Sequence, residues 1–331
     1  MVMTLRKKIG FAIPLLNFLL FKKKIPFFIG WMLTARCNKQ CKYCSIWDRR
    51  EAELDTGTII AVVRQLSRLG TKFISFSGGE PLLRDDIGEI IDCVSHHKMY
   101  VKINSNGALF AQKIHRLRKL NEIKLSLDGP EEIQDELRGK GSYREAIAAA
   151  TDAKRNMIKV SFNTVLSAHN LTCLGFILDI ARKFEAKVTF QPATPFLLGG
   201  DKVNPVTPLQ NDYRRAIAIL INTKKMNKHI ANSFSGLAYL YRWPYAVRKM
   251  HCYGGRFGCR IEVNGALSHC GVYRHKEDSG NLQNCKHSDF KLAFQRLAEI
   301  YCNECWCAPD IEINSLISLQ PEVLWNSLFS G

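Results

Sequence analysis

Three cysteines, Cys37, Cys41 and Cys44, stand in the order CxxxCxxC. Thiolates this close can meet at one soft metal centre and leave a coordination position for another ligand. A disulfide reading fails on parity, because three cysteines leave one over. Zinc is the competing metal, but its cysteine pairs usually stand as CxxC with partners about a dozen residues away. The spacing therefore favours an iron–sulfur cluster. Of twelve cysteines, ten fall within 37–44 and 252–307. A chain of 331 residues does not need disulfides for stability, so metal binding in a reducing compartment is the better account.

The second cluster holds Cys252, Cys259, Cys270, Cys285, Cys302, Cys305 and Cys307. Between Cys252 and Cys270 runs an alternating segment, Arg260 to His269, with an Asn264-Gly265 turn, which reads as a hairpin. Cysteines near both of its ends, with Cys302-Asn303-Glu304-Cys305 downstream, can assemble four thiolates on one centre. Cys93 and Cys173 fall in helical stretches and read as buried apolar residues.

These cysteines need elements to position them. Phe28 to Thr34 reads as a short buried strand leading into the first cysteine loop. Asp55 or Thr56 caps a helix with Ile59, Ile60, Val63, Leu66 and Leu69 on one face, stopped by Gly70. Strands are predicted at 72–76, 100–104, 122–127, 158–164 and 187–191. Helices are predicted at 84–97, 108–120, in stretches up to 156, and at 171–184. Strand and helix thus alternate six times with short links, the pattern of βαβ units around a parallel sheet.

Strand parity adds a lumen. Val101 and Ile103 alternate with Lys102 and Asn104. Ile123, Leu125 and Leu127 alternate with Lys124, Ser126 and Asp128, and the next two strands repeat the pattern. Successive side chains point to opposite faces, and parallel strands are usually apolar on both. A face that stays polar in strand after strand suggests a cavity for a polar ligand at the carboxyl ends. The strand ends carry suitable groups: Ser77-Gly78-Gly79-Glu80-Pro81, then Asn104-Ser105-Asn106-Gly107, then Ser126-Leu127-Asp128-Gly129, then Asn163. The two glycines allow close backbone approach, and Glu80 can pair with an ammonium.

CxxxCxxC with Tyr43 before its third cysteine, then GGEP, then a strand ending in NG, then SLD, resembles the radical S-adenosylmethionine (SAM) superfamily over residues 28–195. The resemblance implies an α/β fold, a partial (βα)6 TIM-like barrel. It also implies that Cys37, Cys41 and Cys44 hold a catalytic [4Fe-4S] cluster whose fourth iron takes the SAM amino and carboxylate groups. Gly78, Gly79 and Glu80 would meet the SAM amino group. Asn104, Asn106 and Ser126 would approach the ribose and methionine carboxylate, with Tyr43, Asp128 and Asn163 as further contacts. Arg138 is either a partner of the SAM carboxylate or an ordinary surface arginine. Cys252 with Gly255, Gly265, Cys270, Gly280-Asn281 and Cys302-x-x-Cys305 resemble a small cysteine-rich SPASM/twitch extension. That implies Cys252, Cys270, Cys302 and Cys305 as ligands of one auxiliary [4Fe-4S] cluster. Cys259, Cys285 and Cys307 leave a second cluster open, and structural zinc remains the alternative. The domain order expected is a basic arm (1–24), a core barrel (25–200), a helical connection (201–250), the auxiliary region (251–310) and a tail (311–331) that packs back.

The implied activity is reductive SAM cleavage and hydrogen abstraction from a peptide or protein, with an external one-electron donor of flavodoxin or ferredoxin type. The alternative is the same chemistry on a membrane-associated lipid or a phosphorylated or sugar small molecule. A non-catalytic iron–sulfur or zinc scaffold would need the cysteines but not the glycine and asparagine strand ends. The net charge of +17, from 47 basic and 30 acidic residues, favours anionic partners. No aromatic–basic module for nucleic acid is evident. Arg6, Lys7, Lys8, Lys22, Lys23 and Lys24 flank an apolar run, Ile9 to Phe21, with no acid in residues 1–24. A spanning helix needs roughly twenty apolar residues, so this one is too short. It fits a helix on an anionic membrane surface, or one that plugs an end of the barrel. The expected location is cytoplasmic, peripheral to the inner face of the membrane.

Overall fold

The computed structural model describes residues 14, 16–21, 23–244, 250–271, 283–286, 289–298, 300 and 305–318. Six parallel strands follow one another in one sheet: β1 (Phe28–Thr34), β2 (Phe73–Gly78), β3 (Tyr100–Ser105), β4 (Glu122–Ser126), β5 (Lys159–Leu166) and β6 (Lys187–Pro192). Between them stand α1 (Thr56–Arg68), α2 (Ile87–His96), the short α3 (Phe110–Lys113), α4 (Glu131–Arg138), α5 (Ser142–Arg155) and α6 (Leu174–Lys183). This is the expected α/β half-barrel. The sheet then extends beyond β1 with β7 (Gly258–Ile261), parallel to it, and β8 (Leu267–Ser268), antiparallel to β7. The cysteine-bearing hairpin therefore belongs to the barrel sheet itself.

The parity seen in the sequence divides the two faces. Ile29, Trp31, Ile74, Phe76, Val101, Ile103, Ile123, Leu125, Val160, Phe162, Val188 and Phe190 join the helices in a single apolar core. The other face carries Gly30, Ser75, Lys102 and Glu122 as one row of register partners, Lys124, Ser161 and Lys187 as a second, and Asn163 paired with Thr189. Asp55 does cap α1, its carboxylate accepting from the Thr58 amide at 2.8 Å.

One helix is shorter than predicted. The stretch 108–120 gives α3 and then a 3-10 turn over Ile114–Arg116, and this tightening brings Leu117 and Leu120 into the core. The helical connection expected over 201–250 opens with α7 (Gln210–Lys224). Beyond it the His229 carbonyl accepts from the Val188 amide, and the Ala231 amide donates back to Val188, both at 2.7 Å. Pairing with β6 ends the helix. Then come α8 (Phe234–Tyr241), α9 (Phe290–Arg296) and α10 (Ala308–Ile317). Ile311 and Ile317 of α10 are buried, so this part of the tail packs back; 319–331 lie outside the described residues.

Residues 16–21 are helical and amphipathic. Phe18 is buried against Phe257 and Tyr253, ring centroids 4.9 and 5.7 Å away, in a cluster with Phe27 and Ile317 near the start of β1. Leu16, Leu20 and Phe21 point outward, 57%, 65% and 68% exposed. No helix among the described residues is long and apolar enough to cross a membrane.

Candidate functional site

The CxxxCxxC loop leaves β1 through a charged knot. Glu53 accepts from Thr34 Oγ1 at 2.5 Å, from Arg36 Nε at 2.7 Å and from an Arg84 terminal nitrogen at 3.0 Å. From there several elements pin the loop. Asn106 Nδ2 donates to Asn38 Oδ1 at 2.8 Å, and the Lys42 amide to the Leu137 carbonyl at 2.9 Å. The Leu198 amide donates to the Tyr43 carbonyl, and Trp47 Nε1 to the Cys44 carbonyl, both at 2.9 Å. Cys37, Cys41 and Cys44 are free thiols. Burial pushes Cys37 up to about 11 and Cys44 up to about 12, with neighbouring cysteine charge adding to both. Burial raises Cys41 as well. Three thiols that resist ionisation beside one another are a poor nucleophilic site. They fit a cationic iron–sulfur centre, which deprotonates its ligands outright.

The glycines after β2 are used differently from the sequence reading. A Cβ on Gly78 would stand 2.1 Å from the Thr34 carbonyl oxygen, and one on Gly79 would stand 2.1 Å from that of Arg36. Their close approach is to the backbone that carries the cysteine loop. The Gly79 amide donates to Thr34 and the Glu80 amide to Arg36, both at 2.8 Å. Glu80 is fully buried and its carboxylate is committed: it accepts from the Leu82 amide (3.1 Å), Ser105 Oγ (2.9 Å) and the Asn106 amide (2.8 Å). Burial pushes it up to about 7 despite those donors. Glu80 thus braces the ends of β2 and β3.

A second brace is centred on Asp128, also fully buried. Its Oδ2 accepts from Tyr43 OH and Arg138 Nε, both at 2.6 Å, and its Oδ1 from the Val165 amide at 2.8 Å. Arg138 lies over the Tyr43 ring, 5.3 Å from its centroid, and is 7% exposed. It is not the surface arginine that sequence allowed. Burial works against its charge, and Asp128 overcomes that to hold the guanidinium above its ordinary value. Asn104 donates to Ser75 Oγ (3.0 Å) and the Phe76 carbonyl (2.9 Å). Ser126 and Asn163 are register partners on the polar face, half-buried. The nine residues expected near SAM therefore do gather at the carboxyl ends of β1 to β5. Ser126 and Asn163 make no side-chain hydrogen bond among the described residues, while Tyr43, Glu80 and Asp128 build the frame.

The other cysteines line one cavity of about 150 Å³, shared by Cys252, Cys259, Cys270, Cys305 and Cys307 and by Gly30, Ser75 and Ser77 of the lumen. Burial raises Cys305 and Cys307, with Asp310 and the neighbouring cysteines adding to it. That volume exceeds what one water or ion needs and suits a polynuclear cluster. Among the described residues no group of three His, Cys, Asp or Glu side chains converges on a single ion. Cys302, Gly280 and Asn281 lie outside the described residues. Cys307, which the sequence left doubtful, lines the cavity; Cys285 packs in the apolar core, its thiol toward the Gly265 carbonyl at 3.2 Å. Cys93 and Cys173 are half-buried against that core.

Sequence reading missed Glu53, Arg84, Gln134 and Asn170. Gln134 Oε1 accepts from the Asp128 amide at 2.6 Å, and Asn170 Nδ2 donates to the Asp128 and Val165 carbonyls at 2.9 Å. None sits in a spacing that signals chemistry; Arg84, Gln134 and Asn170 satisfy buried backbone, and Glu53 gathers the Thr34, Arg36 and Arg84 side chains.

Residues 31–171 match the radical SAM superfamily. The mycofactocin maturase MftC of Mycolicibacterium smegmatis is 26% identical over 290 residues, covering 83% of this chain and 73% of that protein. Its Mycobacterium tuberculosis counterpart is 27% identical over 74% of this chain, which spans 64% of that protein's length. The PqqA peptide cyclase of Gluconobacter oxydans is 33% identical over 46% of this chain and 45% of its own. Among solved structures, Streptococcus suis SuiB bound to S-adenosylmethionine shares the fold with a TM-score of 0.67 at 18% identity, over 81% of this chain and 65% of SuiB.

Proposed function

The chain is a member of the radical SAM superfamily, and on that premise we propose that it cleaves SAM reductively and takes hydrogen from a peptide substrate. The observation that carries this reading is the set of three free thiols following β1, near enough for their charges to act on one another and tied by hydrogen bonds to the following strand ends. Cys37, Cys41 and Cys44 would hold the [4Fe-4S] cluster. When bound, that cluster supplies the electron that breaks the S–C5′ bond of SAM, giving a radical able to abstract hydrogen from an unactivated carbon. The chain's own part is placement. The Glu80 and Asp128 braces fix the strand ends, and Ser126 and Asn163 offer polar atoms toward the lumen. Cys252, Cys270 and Cys305, with Cys302, would hold an auxiliary cluster, for which Cys307 is a further donor in the same cavity.

A peptide is the substrate class that relatives support. One is named a peptide cyclase, and SuiB has been solved with its precursor peptide SuiA. Electrons would come from a flavodoxin- or ferredoxin-type donor. The outward Leu16, Leu20 and Phe21, beside Lys23, support contact of the N-terminal helix with an anionic lipid surface. Anaerobic reconstitution with iron and sulfide, followed by dithionite and SAM, tests the activity: 5′-deoxyadenosine is expected, and its absence overturns the reading. Cys41→Ala should yield none while iron remains bound at the C-terminal site.

A further inference from the structure

The barrel lumen is over-supplied with lysine. Lys102 and Lys124 point into it from adjacent strands, with Lys159 and Lys187 nearer its edge. Lys124 is 7% exposed, yet its ammonium, which carries three donors, reaches only Thr189 Oγ1 at 2.8 Å. Lys102 makes no hydrogen bond or ion pair among the described residues. The acid on this side is Glu122, and its oxygens already accept from Tyr100 OH at 2.8 Å and Ser161 Oγ at 2.6 Å. Across the lumen, Glu262 is answered by Arg260, whose Nε lies 3.0 Å away, and by Arg49; Asp310 feels Arg260 as well.

We propose that Lys102 and Lys124 form a receptor for a carboxylate of the substrate, set in the lumen between the two cysteine centres. This rests on the reading of the lumen as the substrate chamber of a radical SAM enzyme. Three observations place it there. The cavity lined by the C-terminal cysteines opens onto Gly30 and Ser75, and Ser75 is the register partner of Lys102. Lys124 in turn reaches Thr189, two strands along the sheet, so its ammonium lies on the lumen face. Gly30, in the same register row as Ser75 and Lys102, has open space where a Cβ would stand. A buried ammonium without an anion is costly, and a bound carboxylate supplies the missing acceptors. Burial first, and then Lys102, pushes Lys124 down to about 7. Glu122 offsets one of the two cations, so no more than a single charge is left to answer, which suits a carboxylate better than a phosphate dianion.

In a peptide the carboxylate comes from an acidic side chain or from the chain end. Three probes separate these sources: acetyl-Ala-Glu-Ala-amide, acetyl-Ala-Ala-Ala with a free carboxyl end, and acetyl-Ala-Ala-Ala-amide. Binding to the anaerobically reconstituted protein is read by calorimetry, independently of turnover. At least one acidic probe should bind about tenfold tighter than the neutral one, the scale of a charge-assisted hydrogen bond. That preference should fall to about threefold or less in both Lys102→Met and Lys124→Met. Lys102 is half-buried, so its variant remains informative if the Lys124 one folds poorly. A wild type that does not distinguish acidic from neutral probes overturns the proposal, as does a preference that survives in either folded variant. Failure of SAM cleavage is scored separately, by 5′-deoxyadenosine from the wild type, and leaves the binding result readable.

Discussion

At the scale of single residues, two buried ionised groups govern this site in opposite ways. Asp128 and Arg138 satisfy each other in a nearly water-free setting. Removing one charge strands the other, so Asp128→Asn should lower unfolding free energy by about 3–5 kcal/mol in a denaturant titration. It should also loosen the cysteine loop, because Tyr43 loses its acceptor. Lys124 is the reverse case, a cation held down to about 7 where the unfolded chain keeps the ordinary value of 10.5. Between these values the unfolded state binds the extra proton, so stability rises with pH across that window. Relative to Lys124→Met, the wild type should gain up to about 1.4 kcal/mol per pH unit from about pH 7 upward. A difference that stays flat with pH would show that Lys124 is not desolvated.

At the scale of elements, β1 and β2 act as one unit through their glycine contact. The GGEP segment was readable as a motif, and its order behind the cysteines was readable too. Its partner was not: nothing in Ser77-Gly78-Gly79 says that the backbone it approaches belongs to residues 34–36. Gly79→Ala would drive a methyl into two carbonyl oxygens, 2.1 and 2.5 Å from its Cβ. Neither is the end of a flexible side chain, so the strand pair must shift. A loss of about 3 kcal/mol or more is expected, with reduced iron uptake at the first cluster site. Ala at 79 with full stability and full iron content would mean that the loop moves more freely than this packing allows.

At the scale of the whole molecule, the N-terminal helix and the C-terminal hairpin meet on the same region of the barrel. Phe18 packs on Phe257, which precedes β7, and β7 pairs with β1. The arm therefore has a docked face, through Phe18, and an outward face of Leu16, Leu20 and Phe21, where we propose lipid contact. Phe18→Ala should undock the segment and expose residues 14–24 to limited proteolysis. Leu20→Asp, on the outward face, should leave that protection intact and weaken retention on anionic vesicles. Equal cleavage of both variants would place Phe18 outside any stable contact.

The sequence by itself determined the cysteine spacing, the six-fold alternation of strand and helix, and the parity that makes one sheet face polar. All three are short-range: they depend on residue type and on periods of two and about 3.6, which neighbours along the chain fix together. Only the tertiary structure decided what each polar side chain does with its hydrogen bonds. The resemblance made Glu80, Asp128 and Tyr43 ligand contacts; the structure shows them buried, where polar atoms need partners, and gives each of them partners within the protein. Those partners, Asn106, Arg138 and Val165, lie 26, 10 and 37 residues away from the acids they satisfy. The surplus of lysine in the lumen is likewise invisible along the chain. Lys102 and Lys124 are ordinary surface residues by composition, and it is the sheet around them that sets both cations against the Glu122 carboxylate.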